Sequence, residues 1–130
     1  SIYFGIIRGM KRKTIRKHMD FITQPDCLMA RGSFFVIKTK PAKIPNDARY
    51  GLVVTKKSFK LATQRNHVKR LIRDWIAYNQ DLMSPELDYI FILNPSVLDE
   101  NRENGRKEIQ KAFEKILKLL KKSATKNEKQ

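Results

Sequence analysis

A long segment without acids, lying between Asp47 and Asp74, is the feature that most constrains the fold. Its first part, Tyr50 to Thr55, is rich in apolar and β-branched residues and predicts a β-strand. From about Leu61 to Asn79 the apolar residues recur with a period near 3.6 instead of 2, which predicts a long amphipathic helix. The segment therefore indicates a strand followed by a helix that buries one face.

The polar face of that helix is cationic. At 100° per residue, Asn66, Lys69, Arg70 and Arg73 gather within about 100° opposite the apolar residues, and Arg65 lies at the flank. Like charges at this spacing cost a few tenths of a kcal/mol per pair, a penalty that bound phosphates would reverse. The pattern therefore favours a nucleic-acid partner over a solvated face. The residues assigned to this binding surface are Lys56, Lys57, Lys60, Arg65, Asn66, His67, Lys69, Arg70 and Arg73.

The whole chain carries the same bias. Its 130 residues include 28 Lys and Arg against 13 Asp and Glu, a formal net charge of +15. A charge of this size on one small domain indicates a polyanionic partner. Cys27 is the only cysteine, which excludes an internal disulfide scaffold, and no apolar run approaches the roughly 20 residues of a membrane span. We expect a soluble, cytoplasmic protein.

The remaining patterns predict an α+β fold, a small mixed β-sheet packed with helices in the order α-β-β-α-β-α. A short basic helix is expected over residues 11–21, and the second strand is expected to lie antiparallel to the first across a proline-containing loop. Asp99 is the expected N-cap of the last helix. The predicted strands are Ser33 to Thr39, Tyr50 to Thr55 and Asp88 to Leu93, and the last helix runs from about Glu100 to Lys122.

Three regions are expected along the chain. Residues 1–10 are interpreted as a disordered N-terminal extension that adds nothing to the fold, residues 11–122 as the folded domain and residues 123–130 as a frayed basic polar tail.

The sequence offers little for catalysis by the polypeptide itself. A metal-dependent nuclease needs a carboxylate cluster, and acid–base cleavage needs a pair of suitable side chains such as histidines. His18 and His67 lie far apart in the sequence, and the acids are scattered. We therefore predict no catalytic and no metal-ligating residue in this chain.

Arg49 to Arg73, RYGLVVTKKSFKLATQRNHVKRLIR, resembles the signature of the bacterial ribonuclease P protein subunit. That family typically has a strand ending in Gly-Leu-x-Val-Ser-Lys-Lys and then a helix with Arg-Asn-Arg-x-Lys-Arg-x-Ile-Arg. The flanks are similar too, with Asp20-Phe21 before the sheet and Asp88-Tyr89 opening the late strand. The resemblance covers roughly residues 11–121.

The resemblance implies a small basic partner of a catalytic RNA, which together with it removes the 5′ leader from precursor tRNA. The RNA, with Mg²⁺ held mainly by the RNA subunit and the substrate, would cut the phosphodiester. The partners would be that RNA and precursor tRNA, with neither DNA nor a membrane involved. The leader would lie between the sheet and the first helix, near Phe21, Phe34 and Ile37. The fold would include a left-handed βαβ crossover.

Three positions depart from the family pattern: His67 and Asn94 stand where arginine is usual, and Ile37 stands where a tyrosine often contacts the leader. His67 would replace the permanent cation of the family pattern with an imidazole side chain. The alternative function is a ribosomal or general RNA-binding protein without processing activity. A third possibility, a metal nuclease, requires that the protein cleave RNA alone.

Overall fold

The described residues form a mixed β-sheet with two long helices, which confirms the predicted α+β class. The computed structural model describes residues 2–3, 13–14, 27–42 and 49–128. The strands are β1 (Ile2–Tyr3), β2 (Lys13–Thr14), β3 (Met29–Arg31), β4 (Phe35–Pro41), β5 (Arg49–Val53) and β6 (Leu87–Leu93). The helices are α1 (Ala62–Tyr78) and α2 (Arg102–Glu128), with short 3₁₀ turns at Gln80–Leu82 and Pro95–Asp99.

The sheet has the order β1-β5-β6-β4-β3, and β2 also pairs with β5. β5 and β6 are parallel neighbours, and α1 connects them, so they form a βαβ unit. β4 is antiparallel to β6 on its other side. The left-handed crossover implied by the resemblance stays a prediction.

β6 occupies the centre of the sheet, and except for Asp88 its residues have apolar or aromatic side chains on both faces. Ile92 is half-buried, and all other residues of this strand are buried. A near-continuous apolar run is typical of a strand that is buried on both faces. The expected pairing of the first two main strands is therefore wrong: β4 and β5 run in opposite directions, but β6 lies between them.

Aromatic rings join both helices to the sheet. The ring of Phe113, on α2, lies 5.5 Å from Tyr89 and 5.9 Å from Phe91, both on β6. The indole of Trp75, on α1, meets Phe34 edge-on with ring centroids 5.4 Å apart. All five side chains are at most 1% exposed. The core therefore fixes how each helix is rotated about its own axis.

The N-terminal part of the chain differs from expectation where it is described. Lys13 and Thr14, expected in a short helix, form β2 parallel to β5. Ile2 and Tyr3, expected in an extension that adds nothing to the fold, form β1 antiparallel to the same strand. The rest of the predicted first helix lies outside the described residues. The sequence patterns also did not indicate β3, which is only three residues long.

The last helix has different ends from those predicted. The N–H of Asn104 donates to the side-chain Oδ1 of Asn101 at 2.8 Å, so Asn101 caps α2. Asp99 instead ends the preceding 3₁₀ turn. Helix α2 continues to Glu128 rather than ending at Lys122, because no proline or glycine interrupts residues 106–128. Most of the predicted polar tail is therefore helical.

No helix in the described parts of the chain is both long enough and apolar enough to span a bilayer.

Gly105 is required where α2 crosses Trp75. A Cβ at this position would lie 2.7 Å from three atoms of the buried indole, closer than a real Cβ approaches a carbon atom. We predict that Gly105→Ala lowers the free energy of unfolding by about 1–2 kcal/mol, because the overlap costs more than the roughly 1 kcal/mol gained in helix propensity. Urea denaturation of the free protein measures this.

Lys111→Ala, at an exposed position of the same helix, is the matched control and should change the free energy of unfolding by less than about 0.5 kcal/mol. If Gly105→Ala were as stable as the wild type, the close approach of α2 to Trp75 would not be a constraint.

Candidate nucleic-acid interface

Helix α1 buries one side and presents basic residues on the other. Val68, Ile72, Trp75 and Ile76 are its buried residues. The polar face, which we call the cationic face, consists of Asn66, Lys69, Arg70 and Arg73. The structure thus places these four predicted site residues together on one side of one helix.

The members of the cationic face differ in exposure. Asn66 and Arg70 are exposed, whereas Lys69 and Arg73 are half-buried beside the core. Burial removes water from the guanidinium of Arg73 and so lowers its pKa from the ordinary value. An arginine stays protonated at neutral pH even so. The cationic face is therefore charged, and its charge lies partly in contact with the protein body.

The connection from β5 to α1 holds three exposed lysines, Lys56, Lys57 and Lys60, which we call the lysine loop. The N–H of Ser58 donates to Thr55 Oγ1 at 3.1 Å, and the N–H of Phe59 donates to the Thr55 carbonyl at 2.9 Å.

The Phe59 side chain is fully buried, which anchors the lysine loop to the core. The loop therefore presents its lysines from a fixed backbone.

Arg65 has a contact that the sequence patterns did not indicate. Its Nη1 donates to the carbonyl oxygens of Phe59 and Lys60, at 2.8 and 3.1 Å. Arg65 therefore connects the lysine loop to the first turn of α1. Its contact with a nucleic acid stays a prediction. Its position at the flank of the helix, between buried and exposed faces, is the reason it reaches the loop.

The remaining predicted residue of this surface, His67, is exposed on α1 next to Asn66. One helical turn beyond Arg70, Asp74 receives hydrogen bonds at 3.1–3.3 Å from both Nε and Nη2 of Arg106, on α2. This acid is therefore paired with a cation from outside the cationic face.

The predicted leader-contacting residues do not form a surface. Phe34 and Ile37 are both fully buried, so neither side chain is accessible to a ligand. The prediction that these two residues contact the leader is therefore wrong. Phe34 packs against Trp75, and Ile37 faces the helices from β4. Phe21 lies outside the described residues.

The opposite face of β4 is the more accessible one. Val36 and Lys38 alternate with Ile37 and are half-buried. Arg31, on β3, is exposed and pairs with Val36 in register. On the other side of Val36 lies half-buried Ile92. These four side chains, which we call the open face of the sheet, combine apolar surface with two cations.

An exposed aromatic residue near the end of α1 was also missed by the sequence patterns. Tyr78 is 63% exposed, and the guanidinium of Arg106 lies 4.3 Å from its ring centroid. Beside this pair is a cavity of about 300 Å³, lined by Tyr78, Arg102, Glu103, Arg106, Lys107 and Gln110. No local sequence pattern indicates this contact, because Tyr78 and Arg106 lie on different helices and far apart in the sequence.

Among the residues that the structure describes, no three His, Cys, Asp or Glu side chains are grouped where they could hold a metal ion.

Comparison with known proteins identifies relatives of this chain. A family model described as Ribonuclease P matches residues 10–117. The ribonuclease P protein component of Bacillus velezensis is 35% identical over 118 residues, which are 89% of this chain and 98% of that protein. The component of Bordetella avium is 37% identical over 70 residues, 53% of this chain, and the match spans only 58% of the relative's own length.

Solved structures share the fold. The RNase P protein of Staphylococcus aureus is similar with a TM-score of 0.64 at 24% identity, covering 78% of this chain and 92% of that one. The RNase P protein of Thermotoga maritima gives a TM-score of 0.62 at 20% identity, covering 75% and 92%. At these identities the likeness concerns the fold.

The two arginines are expected to differ in their effect on stability. We predict that Arg65→Ala lowers the free energy of unfolding of the free protein by about 1–2 kcal/mol, because two hydrogen bonds to the lysine loop are lost. Arg70→Ala should change it by less than about 0.5 kcal/mol, because the side chain is exposed. Urea denaturation of both variants checks this. Equal stabilities would mean that Arg65 has no positioning role.

Proposed function

Because the chain belongs to the ribonuclease P protein family, we propose that it is the protein subunit of a ribonuclease P and promotes removal of the 5′ leader from precursor tRNA. The observation that carries this proposal is the cationic face of α1, which lies beside the anchored lysine loop in the segment matched by the family model. A partner made of phosphates would offset the repulsion among these cations.

The polypeptide contributes binding, and the catalytic RNA contributes the chemistry. The Mg²⁺ for cleavage would be held mainly by the RNA and the substrate. Two polyanions that must approach each other are repelled, and a body of charge +15 between them reduces that repulsion. As a partner of tRNA precursors, the protein would act in the cytoplasm.

The catalytic RNA is the partner we assign to the cationic face and the lysine loop. Arginine forks suit bidentate contacts with phosphate oxygens, and lysines act as point charges. Arg70 is the exposed fork on this face, whereas Arg65 also holds the loop in place. Contacts with the backbone fix the protein's position on the RNA and do not depend on its base sequence.

The leader of precursor tRNA is the partner we assign to the open face of the sheet. Its apolar side chains, Val36 and Ile92, can contact unpaired bases, and Lys38 and Arg31 can contact the phosphates between them. This face replaces Phe34 and Ile37 as the proposed leader surface, because those two side chains are in the core.

Reconstitution with the catalytic RNA of the same organism tests the proposed function. We predict that the protein stimulates removal of a labelled leader at low Mg²⁺, where the RNA alone is slow. If about six phosphates are neutralised, the logarithm of the RNA-binding constant should fall against the logarithm of salt concentration with a slope of roughly −4 to −5. Filter binding across a salt series measures the slope.

Three outcomes contradict this proposal. Binding without stimulation would favour a general RNA-binding protein, and cleavage by the protein without RNA would favour a nuclease. A slope near zero would contradict contacts with phosphates.

The leader surface has its own test. We predict that Lys38→Ala weakens binding of the holoenzyme to a precursor with a leader about fivefold, because one charge-assisted contact worth ~1 kcal/mol is lost. Binding to mature tRNA should not change. A competition assay with both tRNAs measures the ratio.

Arg102→Ala, which removes an exposed cation outside the open face, the cationic face and the lysine loop, is the matched control. An equal loss of affinity for both tRNAs would show that Lys38 does not contact the leader.

A further inference from the structure

Helix α2 has a second row of basic residues. Lys107, Lys111, Lys115, Lys118 and Lys122, which we call the lysine stripe, are all exposed. At 100° per residue they fall within about 80° of the helix circumference, and at 1.5 Å per residue the stripe extends over about 22 Å.

Two acids of α2 near the stripe accept hydrogen bonds from neutral groups. Glu108 accepts hydrogen bonds from the N–H and the hydroxyl of Ser33, at 3.0 and 2.7–2.9 Å. Glu114 accepts one from the Gln110 amide at 3.0 Å. Among the described residues, no lysine of the stripe takes part in an ion pair. The lysines of the stripe therefore lack a paired carboxylate within the described part of the protein.

The stripe is also held rigidly. On the other side of α2, Ile109, Phe113 and Ile116 are fully buried, and Phe113 packs against the rings of β6. The buried side of α2 therefore fixes the stripe on the outer side of the helix. Like charges three and four residues apart each cost a few tenths of a kcal/mol, which a bound polyanion would offset.

The stripe is a surface separate from the cationic face of α1. Arg106 lies between the two, since it contacts both Asp74 and Tyr78 of α1 and precedes Lys107 in α2. The cavity beside Tyr78 also reaches Lys107. The helix layer thus presents one basic surface on each helix, with this contact as the junction.

We propose that the lysine stripe binds a second segment of the sugar–phosphate backbone of the catalytic RNA, in addition to the segment bound by α1. This inference rests on the proposed function. Lysines act as point charges and do not read base edges, so the contact would be independent of sequence. A linear row of charges fits a backbone, in which charges repeat along each strand.

Other partners fit the stripe less well. An amphipathic helix binds a membrane through an exposed apolar face, but the apolar face of α2 is in the core. Protein interfaces have an apolar or aromatic centre with few charges, whereas the arc of the stripe holds five lysines.

The test compares two quadruple variants of the full chain, each assembled with the catalytic RNA. In the first, Lys111, Lys115, Lys118 and Lys122 are all replaced by Gln, which removes four charges with little change in helix propensity. In the second, the same lysines are replaced by Arg, which keeps the charges. We expect the slope of binding against salt to become less steep by about 3 in the Gln variant and to stay unchanged in the Arg variant.

Footprinting of the RNA backbone locates the contact. Protection of one RNA segment should be lost in the Gln variant and kept in Arg70→Ala, which should instead lose protection elsewhere. Loss of the same segment in both variants would overturn the proposal of a second surface, as would an unchanged slope in the Gln variant.

The two proposals fail in different ways. If Arg70→Ala weakens binding and the Gln variant does not, only the lysine stripe is excluded. If the wild-type protein neither binds the catalytic RNA nor stimulates it, the proposed function fails as well.

Discussion

The orientation of the basic surface of α1 depends on the packing of Trp75 in the core. Its indole is 1% exposed, meets Phe34 edge-on and is crossed closely by Gly105 of α2. A buried tryptophan removes 150–250 Å² from water, worth about 4–6 kcal/mol at 25 cal/mol per Å². Repulsion among the cations of α1 costs a few tenths of a kcal/mol per pair. Packing therefore determines the rotation of the helix, and the basic residues face outward as a consequence.

The free protein thus carries unfavourable electrostatics that its core can tolerate. The exposed acid of α1, Asp74, is paired with Arg106 of α2 and so reduces the field of the cationic face less than an unpaired carboxylate would. Phosphates that bind this face would replace condensed counterions and gain the entropy of their release. The same physical account applies to the lysine stripe, in which no lysine is ion-paired within the described residues.

The sequence predicts α1 well because both of its faces are encoded in the same segment. The apolar arc specifies what is buried, and the basic arc opposite it is exposed by necessity. The order of the sheet could not be predicted in this way, since it depends on pairing between strands that are distant in the sequence. β6 pairs with both β4 and β5 and so separates them, although no local signal in their connection shows this.

The roles of individual site residues could not be predicted for a related reason. Alternation along β4 separates Ile37 from Val36 and Lys38 but does not say which face the helices cover. Phe34 precedes the strand, so alternation does not apply to it, and it turns into the core against Trp75. Arg65 lies between the two arcs of α1, where sequence alone cannot distinguish a contact with the loop from a contact with a ligand.

Asn94 shows how a departure from the family pattern can serve the fold. Its Oδ1 accepts the N–H of Ser96 at 3.0 Å, which caps the 3₁₀ turn after β6. Its amide donates to the Ser33 carbonyl at 3.4 Å, and the Ser96 hydroxyl donates to the same carbonyl at 2.9 Å. An arginine has no acceptor and could not form this cap. At the end of β6 the chain therefore has a structural amide in place of a cation. The exposed basic rows lie instead on α1 and α2, so the charge available to the catalytic RNA is concentrated on the helix layer.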